Sequence, residues 1–168
     1  VTEGDLTVTG AESYTVAHDA DTATATVTVT VADDSIDNVS ITVNESIVDI
    51  AGNPLIEAVD GDQTVDTVNP EASYSSEILT PNQGDGVSSD DDSVVAYTVD
   101  FTEPVSGITA GDIRVEGGAV VAETVDLSED GLQATFSVQA SDDSVADLVV
   151  TVKDTVTDLN GNRLVESS

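Results

Sequence analysis

In Thr22-Ala-Thr-Ala-Thr-Val-Thr-Val-Thr-Val31, Thr stands at every even position and Ala or Val at every odd one. A period of two puts one residue set on each face of an extended chain, so this stretch predicts a β-strand with one face buried and the other wet. The same alternation runs through residues 93–101, 132–138 and 148–152, separated by clusters of Gly, Asp, Asn and Ser. Short alternating runs broken by turn residues are the pattern of an all-β sandwich. No stretch carries a 3.6-residue apolar period. The Thr ladder could also serve as an ice- or surface-binding array, but Thr is a strong strand former and belongs on a wet face in any case.

The elements repeat. Residues 1–10 lie over residues 108–117 with five of ten positions identical, and residues 33–58 lie over 142–167 with ten of 26 identical. The second stretch pairs Asp33-Asp-Ser35 with Asp142-Asp-Ser144, and Asp49-Ile-Ala-Gly-Asn53 with Asp158-Leu-Asn-Gly-Asn162. Repetition of this kind predicts tandem modules of one fold. They are read as an incomplete module over residues 1–62 and a complete one over 63–168. The first has no counterpart of residues 73–107, and Val1-Thr-Glu-Gly-Asp5 is neither a start nor a signal peptide. The chain therefore reads as a piece cut from a longer one.

Charge narrows the partners. Asp and Glu number 34 against 3 Lys and Arg, a formal net charge of -31. Such a chain has no cations to exchange for the counterions of a phosphate backbone, which excludes nucleic acid, and anionic membrane surfaces repel it. Positive ions are the partners it invites. High net charge with few aromatics is also the composition of disordered chains, but the strict alternation argues for folded strands. With no Cys, Met or Trp and aromatics at 3%, the core must be Val, Ile, Leu and Ala, without disulfides or thiolate metal sites. The longest apolar run falls far short of the roughly 18 residues of a membrane span, so no membrane insertion is expected.

Four segments carry a family resemblance: Thr64-Val-Asp-Thr-Val-Asn-Pro70, Val99-Asp-Phe-Thr-Glu-Pro-Val105, Ile108-Thr-Ala-Gly-Asp112 and Asp49-Ile-Ala-Gly-Asn53. Together they resemble the bacterial immunoglobulin-like tandem repeats of large secreted, RTX-type adhesins. The resemblance covers nearly the whole chain. It departs from the family at Asn69-Pro70, where Ala-Pro is commoner, and in the missing front half of the first module. It implies a seven-stranded Greek-key sandwich, a place in a secreted or cell-surface protein, a role as extender or spacer, and calcium at or near module junctions. Partners are then adjacent modules of the same polypeptide. The strands missing from the first module would come from another stretch of that polypeptide or by strand exchange with another copy. The rival readings are a sugar- or protein-binding adhesin module and a strand-complemented subunit of an extracellular filament.

Mapped onto that sandwich, the second module has strands near 72–79, 94–102, 112–116, 119–126, 132–139, 147–153 and 163–167. Alternating strand direction puts the turns after Phe101, around residues 128–131 and at 158–162 at the end where the chain enters. Glu103, Asp158, Asn160, Asn162 and the linker acids Asp60, Asp62 and Asp66 would converge there with hard oxygens, the ligand type of Ca²⁺. Asp158-Leu-Asn-Gly-Asn162 resembles the front of a calcium loop without its distal Glu. The matching loop with Asp49 and Asn53 has Ala51 in place of Asn160 and would bind more weakly. The plainer reading of both loops is a turn, since Asp, Asn and Gly are ordinary turn residues.

Other chemistry is thin. The acidic loop 81–92, with Asp142 and Asp143, reads as solvated, and His18 as an exposed turn residue. Asn38-Val-Ser40 and Asn44-Glu-Ser46 match the glycosylation acceptor pattern. Paired carboxylates hydrolyse glycosides only in a cleft that raises one pKa, and the acids here are spread over loops and wet faces, so no enzyme is expected. The acidity would also suit a high-salt organism, with calcium incidental, although the excess of Asp over Glu favours turns and ligands.

Overall fold

A computed structural model describes residues 1–19, 21, 24–56, 60–78, 94–141 and 147–166. They form an all-β protein with several antiparallel sheets and, among the described residues, no α-helix. The chain divides into two compact units, Val1–Val68 and Asn69–Ser168.

The first unit holds β1 (Leu6–Thr9), β2 (Ser13–Asp19), β3 (Thr24–Thr30), β4 (Ile36–Val43) and β5 (Asp60–Asp66). β1, β4 and β5 make one antiparallel sheet and β2 and β3 a hairpin. β5 pairs along β4 from Thr42↔Asp60 to Ile36↔Asp66, so residues 63–66 continue the sheet of this unit. His18 lies in β2 opposite Ala25 and is exposed; it is not in a turn. The wet face of the Thr ladder is as expected, with Thr24, Thr26, Thr28 and Thr30 exposed. Its apolar face is not buried: Val27 and Val29 are only half covered and Ala25 is exposed. Leu6 and Val39 are the buried hydrophobic residues among those described in this unit. Alternation makes a face apolar, but burial requires a second layer over it.

The second unit holds β6 (Ala72–Ile78), β7 (Val94–Phe101), β8 (Ile113–Glu116), β9 (Gly118–Val120), β10 (Asp126–Leu127), β11 (Gln133–Ala140) and β12 (Val149–Val152). One sheet runs β10-β11-β7-β6 with β9 also on β11, and β8 pairs with β12 in another. Val99 and Phe101 of β7 and Ala134, Phe136 and Val138 of β11 share one buried cluster with Ile113 of β8 and Val150 and Val152 of β12. Side chains of both sheets thus form a common core, the arrangement of a β-sandwich. Phe136 stacks on its cross-strand partner Tyr97 with ring centroids 5.7 Å apart.

Two expected strands differ. The one near 119–126 is broken into β9 and β10 by a turn in which Glu123 has φ 63° and the Thr124 hydroxyl donates to Val121 O while accepting from Ser137 N. The one near 163–167 is reduced to a Thr157↔Arg163 bridge and a bond from Val165 N to Pro70 O.

The repeat extends to individual hydrogen bonds. Thr2 N–H and Oγ1 donate to Asp5 Oδ2 around a 3₁₀ turn, and Thr109 N–H and Oγ1 donate to Asp112 Oδ2 around another. Asn44 N bonds Asp5 O and Lys153 N bonds Asp112 O, both at 2.9 Å. β1 and β8 follow these turns and end at Gly10 (φ 72°) and Gly117 (φ 80°). A Cβ on Gly117 would lie 2.8 Å from Asp147 O, so glycine is needed there for the close approach as well as the left-handed backbone. Leu55 N bonds Ile47 O as Leu164 N bonds Val156 O.

Candidate metal centre

The three turns expected at one end of the second unit do meet. Val105 N donates to Gly131 O, Val105 bridges Asp158, and Ser106 N donates to Thr157 O. The entry of the unit lies with them, since Glu71 N bonds Thr102 Oγ1 and Val165 N bonds Pro70 O.

Asp158 is the centre of this end. It is 2% exposed, and its Oδ1 accepts from Asn160 N, Gly161 N and Asn162 N at 2.9, 2.6 and 2.7 Å. Its Oδ2 accepts from Asn162 Nδ2 at 2.9 Å. Asp followed two to four residues later by free backbone N–H groups folds naturally into such a turn, and Gly161 supplies its φ of 97°. Burial alone would raise the Asp158 pKa; the Asn162 amide and the backbone N–H groups outweigh it and hold the carboxyl below its ordinary value.

Glu103 follows β7 in the adjoining turn. It is half-buried, its Oε1 is shielded from solvent, and a carboxylate oxygen of Glu103 lies within 4.8 Å of one of Asp158. At 4.8 Å and an effective dielectric near 20, two unit negative charges repel by roughly 3 kcal/mol. The three basic side chains of the protein are engaged elsewhere: Arg114 with Thr151, Lys153 with Gly111 O and Arg163 with Asp154. Carboxylate oxygens held this close are a donor set that could hold a metal ion, and the all-oxygen chemistry suits a hard cation.

The other expected ligands are placed differently. Asn160 is exposed and gives its backbone N–H to Asp158, while Asn162 orients that carboxylate through its side-chain amide. Asp60, Asp62 and Asp66 occur along β5 of the first unit; Asp62 is exposed opposite Ser40, and Asp66 is half-buried at the strand end with its Oδ1 accepting from Val68 N. At about 3.3 Å per residue, Asp62 and Asp60 stand roughly 13 and 20 Å up the strand from Asp66, too far to share one ion with it.

Asp49 repeats the Asp158 turn, accepting from Asn53 N and Nδ2 at 2.8 Å each, and the Asn53 bonds hold its carboxyl below the ordinary value. It is exposed, and no acid group with metal-binding spacing includes it among the described residues. The acidic loop 81–92 and Asp142–Asp143 lie outside the described residues.

The Thr2–Asp5 and Thr109–Asp112 boxes escaped the sequence reading as structural devices, although Thr-x-Gly-Asp in both repeats carries the Ser/Thr-x-x-acid spacing of a cap. Among the described residues, no helix is long and apolar enough to cross a membrane. No family model, curated protein or solved structure matches the chain.

Proposed function

We propose that the chain is a non-catalytic spacer segment of a secreted or cell-surface adhesin, built of tandem immunoglobulin-like Greek-key sandwiches and stiffened by calcium. The observation that carries the reading is the recurrence, bond for bond, of the capped turn, the strand ending in glycine and the Asp-to-Asn loop in the two units. A chain that spends its length on copies of one framework is suited to setting distance. For calcium the support is the Glu103–Asp158 pair at one end of the second unit. On Asp158 the assigned oxygen is Oδ2, which takes the one Asn162 amide while Oδ1 carries three N–H donors. A bound calcium ion would neutralise the carboxylates and tie the Glu103 turn to the Asp158 loop.

The test is a thermal melt with calcium, magnesium or NaCl at matched ionic strength. Extracellular calcium modules bind at dissociation constants of roughly 10⁻⁴ to 10⁻³ M. A ligand at 100 times its dissociation constant adds about 2.7 kcal/mol to the folded state, several degrees in Tm for a domain of this size. Calcium should raise the melt by that amount beyond NaCl, and Glu103→Gln should remove the excess while Asp49→Asn leaves it. An equal rise with NaCl would reject the calcium site.

A further inference from the structure

The bond-level repeat allows the first unit to be compared, position by position, with a copy whose cover is known. In the second unit, β7 pairs with one edge of β11 from Ala134↔Val99 to Gln139↔Val94, and Ala134, Phe136 and Val138 are buried at 0, 2 and 0% exposure. Beyond β7 the same segment continues through Val105, which is 3% exposed, bridges Asp158 and is followed by Ser106 N bonded to Thr157 O. Val156 and Leu164, flanking that bend, are each 2% exposed.

Among the described residues, the counterparts in the first unit lack that cover. β3 aligns with β11, placing Ala25, Val27 and Val29 at the positions of Ala134, Phe136 and Val138. Among the described residues β3 pairs with β2 alone. Ala25 is exposed and the two valines are half-buried. Ile47 and Leu55, at the positions of Val156 and Leu164, are half-buried beside exposed Val48 and Ile56 in an open apolar groove completed by Pro54. Edge and groove are separate observations, and in the second unit one continuous segment, residues 94–106, covers both.

We propose that the first unit is a receptor for an added β-strand with the pattern of residues 94–106. The strand runs antiparallel to β3 in the register that β7 uses on β11, with its Val99 position opposite Ala25 and its Val94 position opposite Thr30. Its apolar residues at the 95, 97, 99 and 101 positions supply the missing cover, and its Pro-Val end enters the groove at Val48 and Asp49. Main-chain hydrogen bonds supply affinity and alternate side chains supply selectivity, as in other cases of strand addition. A second copy of the chain is a poor donor, because its own β7 is buried, with Val99 at 0% and Val95 and Phe101 at 6% exposure, and because each copy carries a net charge of -31. The inference rests on the repeat alone and does not depend on calcium.

The probe is a synthetic peptide with the sequence of residues 94–106, titrated into the full 168-residue chain alongside a scrambled peptide. Amide hydrogen exchange and light scattering are read together, without calcium. The expected result is slowing of exchange by about tenfold or more in residues 25–30 with the native peptide only, from a monomer whose β3 amides exchange fast beforehand. No slowing, or equal slowing by the scrambled peptide, overturns the proposal. Slow β3 exchange before any peptide is added also overturns it, assigning the edge to the chain itself if the sample is monomeric and to a second copy if it is dimeric.

Discussion

Leu55 and Leu164 are the same residue at the same place in the same hydrogen-bonded bend, yet Leu164 is 2% exposed and Leu55 only half covered. Val29 and Val138 differ in the same way, as do the carboxylates of Asp49, which is exposed, and Asp158, which is 2% exposed. The local bonds survive the difference: each Asp still accepts from the backbone and side chain of the Asn four residues on. Turns, caps and glycine-ended strands therefore form from nearby sequence in both units. Burial, and the energy that comes with it, depends on the layer laid over them.

The largest expected contrast is at the paired leucines. Truncating a buried Leu costs the lost transfer energy plus a cavity, about 2 to 5 kcal/mol, so Leu164→Ala should lower the melting transition of the second unit sharply. Leu55→Ala should cost clearly less, about 1 to 2 kcal/mol, since that side chain is already partly wet. Equal losses in urea titrations of the two variants would break the comparison and place the first unit in a closed core.

Next comes the Asp158 turn. Asp158→Ala removes the buried carboxylate that accepts from three backbone N–H groups and the Asn162 amide, and hydrogen bonds to a charged group are worth roughly 1.5 to 3 kcal/mol; a loss of about 3 kcal/mol is expected, with a smaller one for Asp49→Ala. Because the folded-state pKa of Asp158 is depressed, its contribution is present above the unfolded value of about 3.9 and is lost as pH falls through the folded value. The wild-type protein should accordingly destabilise more steeply below pH 4 than Asp158→Asn. Parallel acid limbs would show that the carboxylate does not carry the turn.

The smallest contrast sharpens the comparison by its absence. Gly10 and Gly117 have the same backbone conformation and the same kind of carbonyl neighbour, Asn38 O and Asp147 O. Alanine at either should cost about 1 to 3 kcal/mol through strain and contact. Similar losses at both positions, measured by denaturant unfolding, would confirm that local framework is independent of cover; a loss at Gly117 alone would tie the framework to the core.

Much of this was legible in the chain. Alternation in residues 94–101 and 133–138 located β7 and β11, and counting strand directions brought the turns at Glu103, 128–131 and Asp158 to one end. The break at Glu123 was not legible, because it depends on Thr124 bonding a strand distant in sequence. Nor was the distinction among the linker acids: Asp60, Asp62 and Asp66 look alike in sequence, and only their positions along β5 separate them.

By itself the sequence determined which groups bond within a few residues of one another. Thr2 to Asp5, Asp49 to Asn53 and Asp158 to Asn162 need only short spacing and a permissive glycine. Tertiary structure decided which of those motifs lost their water and which charges had to sit together. Glu103 meets Asp158 because a bridge from Val105 joins the end of one sheet strand to a loop far along the chain, and Leu164 is dry because β7 and its continuation pack beside it. Hydrogen-bond geometry is local, whereas desolvation and Coulomb repulsion depend on everything that surrounds a group, and those surroundings exist only after the sheets have packed.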